Sequence, residues 1–454
     1  MKIILLNPIT RNKGKVLRVE RCQQKILSYI GIWPPITLLE IATYLKCREF
    51  NNVEIIDGEV EKFSFNELVS EVIEKKPNVV VMQATTPTIQ DDIFFASFLK
   101  QKSKEVTIVF IGLHATIFPQ ELLKEDSIDH VILGEPEETI CDLMSYYLKE
   151  KPNIETIKGL GYKHNGKIII NKKRLPRENY NYPMIPDRRL LKNEKYILPL
   201  TKEIFTVIKT SRGCNFGCLF CTSASYYGKG WKARTPENII EEIKDVKNKH
   251  NINTFLFLSD TFNGTKDFVK RLSSKIIEEN LNIKWVSNSR VDLVDEEIVR
   301  LMKRSGCILV SLGIESYDEG ILERNRKDVS IEDINNGIRL FNKYGIKTYG
   351  YFIFGLEGEN KKTLLKTIIK ALRSKLDFAN FYSLTPYPGT SYFDKYKTRD
   401  YKEYFHGISN IVSYDNLHRF TIRFCRYFAF AIFYLKPIRF LQLLEYFLRK
   451  RILC

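Results

Sequence analysis

Long hydrophobic runs are missing from this sequence. No stretch approaches the roughly 18 consecutive apolar residues that a spanning helix needs, and the opening run, residues 3–6, is too short for a secretory leader and reads as a first strand. Glycine (23) and proline (16) are too scarce for a collagen-like or low-complexity chain. Nine cysteines, an odd number scattered from Cys22 to Cys454, make no secreted disulfide framework, so a cytoplasmic location is expected. What is present is ample core material: 44% hydrophobic and 12% aromatic residues in a chain of 454, enough for at least two domains.

Acidic residues are also in deficit, 54 against 71 basic ones, for a net charge of +17. The deficit is uneven. Residues 1–150 hold 17 basic and 22 acidic groups, which leaves +22 on residues 151–454. Such a field suits phosphorylated small molecules, nucleic acid or an acidic membrane, and by itself selects none of them.

Across residues 1–150, short apolar runs at 2–6, 53–56, 79–82, 106–111 and 130–133 alternate with amphipathic segments. This is the pattern of a doubly wound, Rossmann-like α/β sheet. Pro34-Pro35 opens one helix, and Ser64 with Glu67 offers a capping box for another. Ligands of such sheets sit beyond the carboxyl ends of the strands, here Gln83-Ala84-Thr85-Thr86, Gly112-Leu113-His114-Ala115-Thr116 and Gly134-Glu135-Pro136-Glu137. Residues 151–200, with 12 basic and 4 acidic groups, read as a linker holding a hairpin at His164-Asn165-Gly166-Lys167. Residues 201–390 resume the alternation at longer spacing, with strands near 206–211, 254–258, 284–288, 308–312, 348–354 and 380–384. Six such βα units make a partial, TIM-like (β/α)6 barrel. Residues 391–454 form a basic, aromatic extension expected to be helical.

The densest chemical signal is Cys214-Asn215-Phe216-Gly217-Cys218-Leu219-Phe220-Cys221, on the loop after the first barrel strand. A structural zinc site wants four ligands, and no fourth Cys or His lies close in sequence. Three thiolates can instead hold three corners of a cubane iron–sulfur cluster and leave one iron open for a substrate or cofactor. A zinc knuckle completed by a remote residue, or three unrelated cysteines, is the plainer alternative. Cys22, Cys47, Cys141, Cys307, Cys425 and Cys454 lack ligand spacing, and Cys307 reads as the start of a strand.

This Cys-x3-Cys-x2-Cys loop, with the aromatic Phe220 before its last cysteine, resembles that of the radical S-adenosylmethionine (radical SAM) superfamily. The resemblance implies a [4Fe–4S] cluster on Cys214, Cys218 and Cys221. Its open iron would chelate S-adenosylmethionine, whose one-electron cleavage yields a 5′-deoxyadenosyl radical. Other positions follow by resemblance. Ser259-Asp260-Thr261-Phe262 stands where the family often has a Gly-Gly-Glu that binds the methionine amino group, and is a departure from it. Glu315 and Ser316 of Gly313-Ile314-Glu315-Ser316 match the ribose-contacting segment, and Gly355 opens a turn similar to the adenine-side one, with Glu357 where proline is usual. Asn288 and Arg290 either face the same pocket or form a solvated strand end.

Pro386-Tyr387-Pro388-Gly389-Thr390 is similar to the barrel end of the subgroup with an amino-terminal cobalamin-binding domain, which includes methyltransferases and the anaerobic cyclase of magnesium-porphyrin esters. That likeness implies cobalamin contacts from Thr85, Thr86, Gly112, His114, Thr116, Gly134 and Glu135. The Asp-x-His-x-x-Gly signature used by some cobalamin proteins is absent, and Ile111 and Pro136 replace two loop glycines. His114 is expected to act structurally or on corrin amides rather than on cobalt. No amino-terminal cysteine trio is present, which argues against the methylthiolating relatives that act on transfer RNA.

The expected function is therefore hydrogen abstraction from an unactivated carbon of a small organic substrate, followed by methyl transfer, oxidation or cyclisation. A flavodoxin or ferredoxin would serve as one-electron donor. Two rivals, a radical SAM enzyme that modifies nucleic acid and a non-catalytic metal-binding protein, both rank below this reading. Residues 419–454 hold eight basic groups against Glu445 alone, and read as a helical pair packed on the barrel, with peripheral membrane contact as the sharper reading.

Overall fold

The computed structural model describes residues 1–11, 16–19, 22–25, 31–198, 202–398, 400–437 and 439. The chain folds as two units. The first comprises Met1–Tyr196 with Ser225–Gly228 and Arg399–Phe405, and the second Ile197–Ala224, Lys229–Thr398 and His406–Cys454.

Among the described residues the first unit holds nine strands: β1 (Ile3–Asn7), β2 (Val16–Val19), β3 (Cys22–Lys25), β4 (Val53–Asp57), β5 (Val79–Gln83), β6 (Thr107–Ile111), β7 (His130–Ile132), β8 (Leu160–His164) and β9 (Lys167–Ile170). Seven of them form one sheet in the order β4-β1-β5-β6-β7-β8-β9, parallel through β7. β1 and β5 are buried at every residue, which is why they read as unbroken apolar runs rather than alternating ones. Helices cover both faces. Ile36–Cys47 and Glu137–Lys149 share one core with the sheet, and Phe65–Glu74 and Ile89–Lys102 share the other. The expected capping box is present, with Ser64 Oγ accepting the Glu67 amide and the Glu67 carboxylate accepting the Ser64 amide at 2.7 Å. At the β8–β9 hairpin Asn165 and Gly166 both take positive φ, 48° and 73°, as a two-residue turn matched to strand twist requires. β2 and β3 pair apart from the sheet as an antiparallel ribbon.

The second unit is built on β10 (Phe205–Lys209), β13 (Thr254–Leu258), β14 (Lys284–Ser289), β15 (Cys307–Glu315), β16 (Lys347–Phe354) and β17 (Phe378–Ser383), all parallel and in sequence order, with a short hairpin of β11 (Ser211–Cys214) and β12 (Gly230–Ala233) after the first. Each connection carries a helix, and in-order parallel strands of this kind are a partial (β/α)6 barrel. The core lies between sheet and helices, with Phe257 stacked on both Phe262 (5.9 Å) and Trp285 (5.0 Å) within it. The last strand would leave an open edge, but helix Arg419–Tyr434 packs on β17, and the Tyr434 hydroxyl bonds the Ala379 amide at 3.2 Å and its carbonyl at 3.0 Å. The second helix expected in residues 437–454 lies largely outside the described residues. Among the described residues no helix is long and apolar enough to cross a membrane.

Candidate functional site

Cys214 ends β11, and pairing with β12 sets Gly213 opposite Trp231 and Cys214 opposite Gly230. The segment after β13 braces this start of the cysteine loop. Gly213 donates its amide to Asp260 Oδ2 at 2.9 Å, Cys214 Sγ lies 3.2 Å from Thr261 Oγ1, and the Trp231 indole donates to the Thr261 carbonyl at 2.8 Å. Gly264 makes room for that indole, since a Cβ there would stand 2.4 Å from it. The far end of the loop is held by the Cys221 amide on the Cys218 carbonyl (3.1 Å) and by the Leu219 amide on the Asn325 carbonyl (3.1 Å). All three cysteines are partly exposed and none forms a disulfide.

Beside the loop stands a buried ion pair. Glu315 closes β15 at a break in register with positive φ (64°), and its Oε1 accepts from Lys327 Nζ at 3.1 Å. A Cβ on Gly313 would stand 2.4 Å from that oxygen and 3.0 Å from that nitrogen, so the absence of a side chain there makes room for the pair. Burial works against the Lys327 ammonium, but Glu315 and Cys218 outweigh it and its pKa lies above the ordinary value. Burial pushes the Cys218 thiol up to about 11, with Lys327 pulling the other way. Arg290 places its guanidinium carbon over the Phe216 ring, 3.5 Å from the ring centroid. It also forks onto Asp292 (3.0 and 2.9 Å) and donates to the carbonyls of Lys327 and Asp328.

The loop ends thus bring Gly213 to Asp260, Cys214 to Thr261, and Cys218 to the charges of Lys327, Glu315 and Arg290. Ser259 Oγ is buried without a hydrogen-bond partner among the described residues. Asn288 is half-exposed, and its carbonyl accepts the Phe262 amide. Ser316 turns into the core, with its hydroxyl 3.1 Å from Thr367 Oγ1. Phe220 packs with Leu356, Leu384 and Tyr392. Gly355 takes φ of 93°, donates its amide to Glu359 and accepts from the Tyr414 hydroxyl at 3.0 Å. Lys327 and Phe216 are the residues that sequence reasoning missed. Phe216 is one of the unspecified positions between Cys214 and Cys218, Lys327 lies outside every motif, and only the return of the chain after helix Glu319–Arg324 brings Lys327 to Glu315.

Among the described residues no three His, Cys, Asp or Glu side chains converge as a single metal ion would require. A cubane cluster spreads its thiolates over separate corners. Three thiols on a braced loop, flanked by two cations, therefore suit a cluster better than a mononuclear site.

In the first unit, strand order reverses between β1 and β5, and ligands of such sheets sit outside that switch point. There Asn7 Oδ1 is buried without a partner among the described residues, while its amide donates to Asp57 at 2.7 Å. Burial pushes the Asp57 carboxyl up to about 6, against bonds from Tyr196 and Asn7 that pull it down. Next along the sheet, the Thr85 hydroxyl lies 2.6 Å from that of Thr88, which donates to Asp92 at 2.8 Å, and Arg18 holds both Asp92 (2.9 Å) and the Gln83 carbonyl (3.0 Å). Thr86 Oγ1 meets His114 Nδ1 at 3.2 Å. The His114 ring lies against Phe118 and edge-on to Tyr401, and burial lowers its pKa to about 3, so it stays neutral. Thr116 joins two loops, its hydroxyl donating to the Gly112 carbonyl (2.8 Å) and accepting the Gly134 amide (2.9 Å). Glu135 is bound by the Tyr180 hydroxyl and lies 3.7 Å from Arg177. The seven residues expected at these loops thus lie along three adjacent strand ends. Gly112 and Gly134, both at positive φ, keep the backbone bare there.

Comparison with known proteins agrees in both units. The radical SAM superfamily model matches residues 208–371, and the B12 binding domain model matches residues 26–144. An uncharacterized methyltransferase of Pyrococcus horikoshii is 33% identical over 391 residues, 86% of this chain and 82% of that one. The anaerobic magnesium-protoporphyrin IX monomethyl ester cyclase of Rubrivivax gelatinosus is 28% identical over 385 residues, 82% of this chain and 69% of the relative. In fold, the radical S-adenosylmethionine methyltransferase TsrM of Kitasatospora setae, solved with cobalamin and a [4Fe–4S] cluster, superposes with a TM-score of 0.72 at 18% identity, over 87% of this chain and 78% of its own.

Proposed function

The chain belongs to the radical SAM superfamily, in the branch that carries a B12-binding domain, and from that premise we propose a cobalamin-dependent enzyme that abstracts hydrogen from an unactivated carbon of a small organic substrate. Methyl transfer or an oxidative, cyclising step then completes the reaction, the two outcomes named for its relatives. The carrying observation is the braced loop of three unbridged cysteines beside the buried Glu315–Lys327 pair. When bound, the cluster, S-adenosylmethionine and cobalamin supply one-electron S–C cleavage and methyl carriage.

The chain's own part is to bind and orient. Cys214, Cys218 and Cys221 would hold the cluster, with Arg290 fixing the loop through Phe216 and Phe220 packing its far side. Asp260 and Ser259 would receive the methionine amino group, although Asp260 already braces the Gly213 amide. Glu315 would accept from the ribose, its carboxylate held in one orientation by Lys327. Ser316, bonded to Thr367, would support that turn rather than touch the ligand. Asn288 and Gly355 would border the ribose and adenine sides. Thr85, Thr86, Gly112, Thr116, Gly134 and Glu135 would line the corrin and its tail, while His114, neutral and bonded to Thr86, would orient that threonine. We place the enzyme in the cytoplasm, fed by a flavodoxin- or ferredoxin-like donor. The exposed aromatic face of helix Arg419–Tyr434 supports transient contact with anionic membrane.

Reconstitution without oxygen, with iron, sulfide and hydroxocobalamin, is expected to give about four irons and one cobalt per chain. Cys218→Ala should lose the iron and all 5′-deoxyadenosine formation while keeping cobalt. One zinc and little iron in the native protein would return the cysteines to a structural role.

A further inference from the structure

The six-stranded sheet has two faces of different chemistry. Along β16, Thr348, Gly350, Phe352 and Phe354 are buried, and the two phenylalanines join the core under the helices, whereas Tyr349, Tyr351 and Ile353 are half-exposed. The two-residue period of a strand puts these three on the inner face. Register carries that face across the neighbours: Asn288 pairs with Ser311, Ser311 with Tyr349, Gly313 with Tyr351, Tyr351 in turn with Asn380, and Ile353 with Tyr382.

The inner face is therefore divided. Toward the carboxyl ends of β14 and β15, beyond Val286 and Leu309, it is small and polar, with Asn288, Ser311 and Gly313, and it adjoins the Glu315–Lys327 pair. On β16 and β17 it is aromatic. Tyr349 and Tyr351 have ring centroids 4.9 Å apart, Tyr351 and Tyr382 5.7 Å, and Tyr382 and His406 5.0 Å, and His406 lies parallel to Tyr387. Gly407, at φ 72°, lets the chain lie against Tyr382, since a Cβ there would stand 1.9 Å from the ring. The core is filled from the other face, so packing gives no reason for this row of half-exposed rings.

We propose that the aromatic half, Tyr349, Tyr351, Tyr382 and His406, seats the substrate and selects a flat, conjugated, multi-ring molecule. Rings stack such a ligand through their faces. The row runs through three successive ring contacts, Tyr349 to Tyr351, Tyr351 to Tyr382 and Tyr382 to His406, a path longer than any single ring. The small half beside Glu315 is left for S-adenosylmethionine, so the inference rests on the radical SAM reading and deepens it by naming a substrate class.

The test uses anaerobically reconstituted full-length protein with S-adenosylmethionine present. It is titrated with protoporphyrin IX as the flat probe and with cholesterol as a non-planar polycycle. The porphyrin should bind and the sterol should not. Tyr351→Ala and Tyr382→Ala should each weaken porphyrin binding about tenfold, while Tyr351→Phe and Tyr382→Phe, which keep the stacking face, stay within about threefold. Sterol binding as tight as that of the porphyrin, or Phe variants as weak as the Ala ones, would overturn the proposal. Dithionite-driven 5′-deoxyadenosine formation is measured on the same wild-type preparation. If it occurs and the porphyrin does not bind, the seat is wrong and the radical reading stands; if it fails while the binding pattern holds, the reverse is true.

Discussion

Glu359 is enclosed behind the turn at Gly355. One carboxyl oxygen accepts the Gly355 amide, and the other has no hydrogen-bond partner among the described residues. Burial raises its pKa from 4.5 to about 8, against two backbone amides that lower it. The native protein therefore keeps a proton there that the unfolded chain releases near pH 4.5. Between these values the unfolded state binds fewer protons, so stability falls as pH rises, by about 1.4 kcal/mol per pH unit, and levels off above the folded pKa. Glu359→Gln removes the titration and keeps the shape. Between pH 5 and 8 its melting temperature should fall less with pH than that of wild type, which it should exceed at pH 9; parallel profiles for the two proteins would refute the assignment. At this scale the sequence was legible only where residues are adjacent. Cys214 to Cys221 stand in one loop, whereas Glu359 looks like any surface carboxylate until its burial is known.

At the scale of elements, strand ends carry both sites. Gly112 follows β6 with φ of 105°, and a Cβ on it would stand 2.8 Å from the Ala84 carbonyl. Gly112→Ala should cost about 1–3 kcal/mol through backbone strain and the clash, and should lower cobalt per chain on reconstitution with iron unchanged. Full cobalt loading by a measurably destabilised variant would remove the loop from the cobalamin site. The main strands were readable because buried parallel strands are continuous apolar runs bounded by turns. The β2–β3 ribbon and the β11–β12 hairpin were not. Each strand has four residues, and the second hairpin has the cysteine loop between its strands, so no periodicity had length to develop.

Over the whole molecule, the +17 charge finds a local expression on helix Arg419–Tyr434. Ile422, Ala429 and Phe433 face the core, while Phe420 (59% exposed), Phe424 (66%), Tyr427 and Phe428 face outward with Arg419 and Arg423, and residues 419–436 contain no acid. Aromatic and basic side chains on one exposed face suit an anionic interface. The holoprotein should sediment with phosphatidylglycerol-containing vesicles and not with pure phosphatidylcholine. Phe424→Ser combined with Phe428→Ser should cut that partition about tenfold or more, and half-molar salt should weaken it. Equal sedimentation with neutral vesicles, or concentration-dependent dimerisation lost in the double variant, would assign the face otherwise.

By itself the sequence determined the family, the two sheets and the cysteine trio. These depend on local order: a strand is a run, a turn is a short motif, and the three thiols lie within eight residues. Tertiary structure decided what depends on pairing across the chain. Register between β15, β16 and β17 gathered the tyrosines on one face, and the return of residues 325–328 placed Lys327 against Glu315. A side chain's face and its partner follow from which strand lies beside it, and that is a property of the sheet rather than of any segment within it.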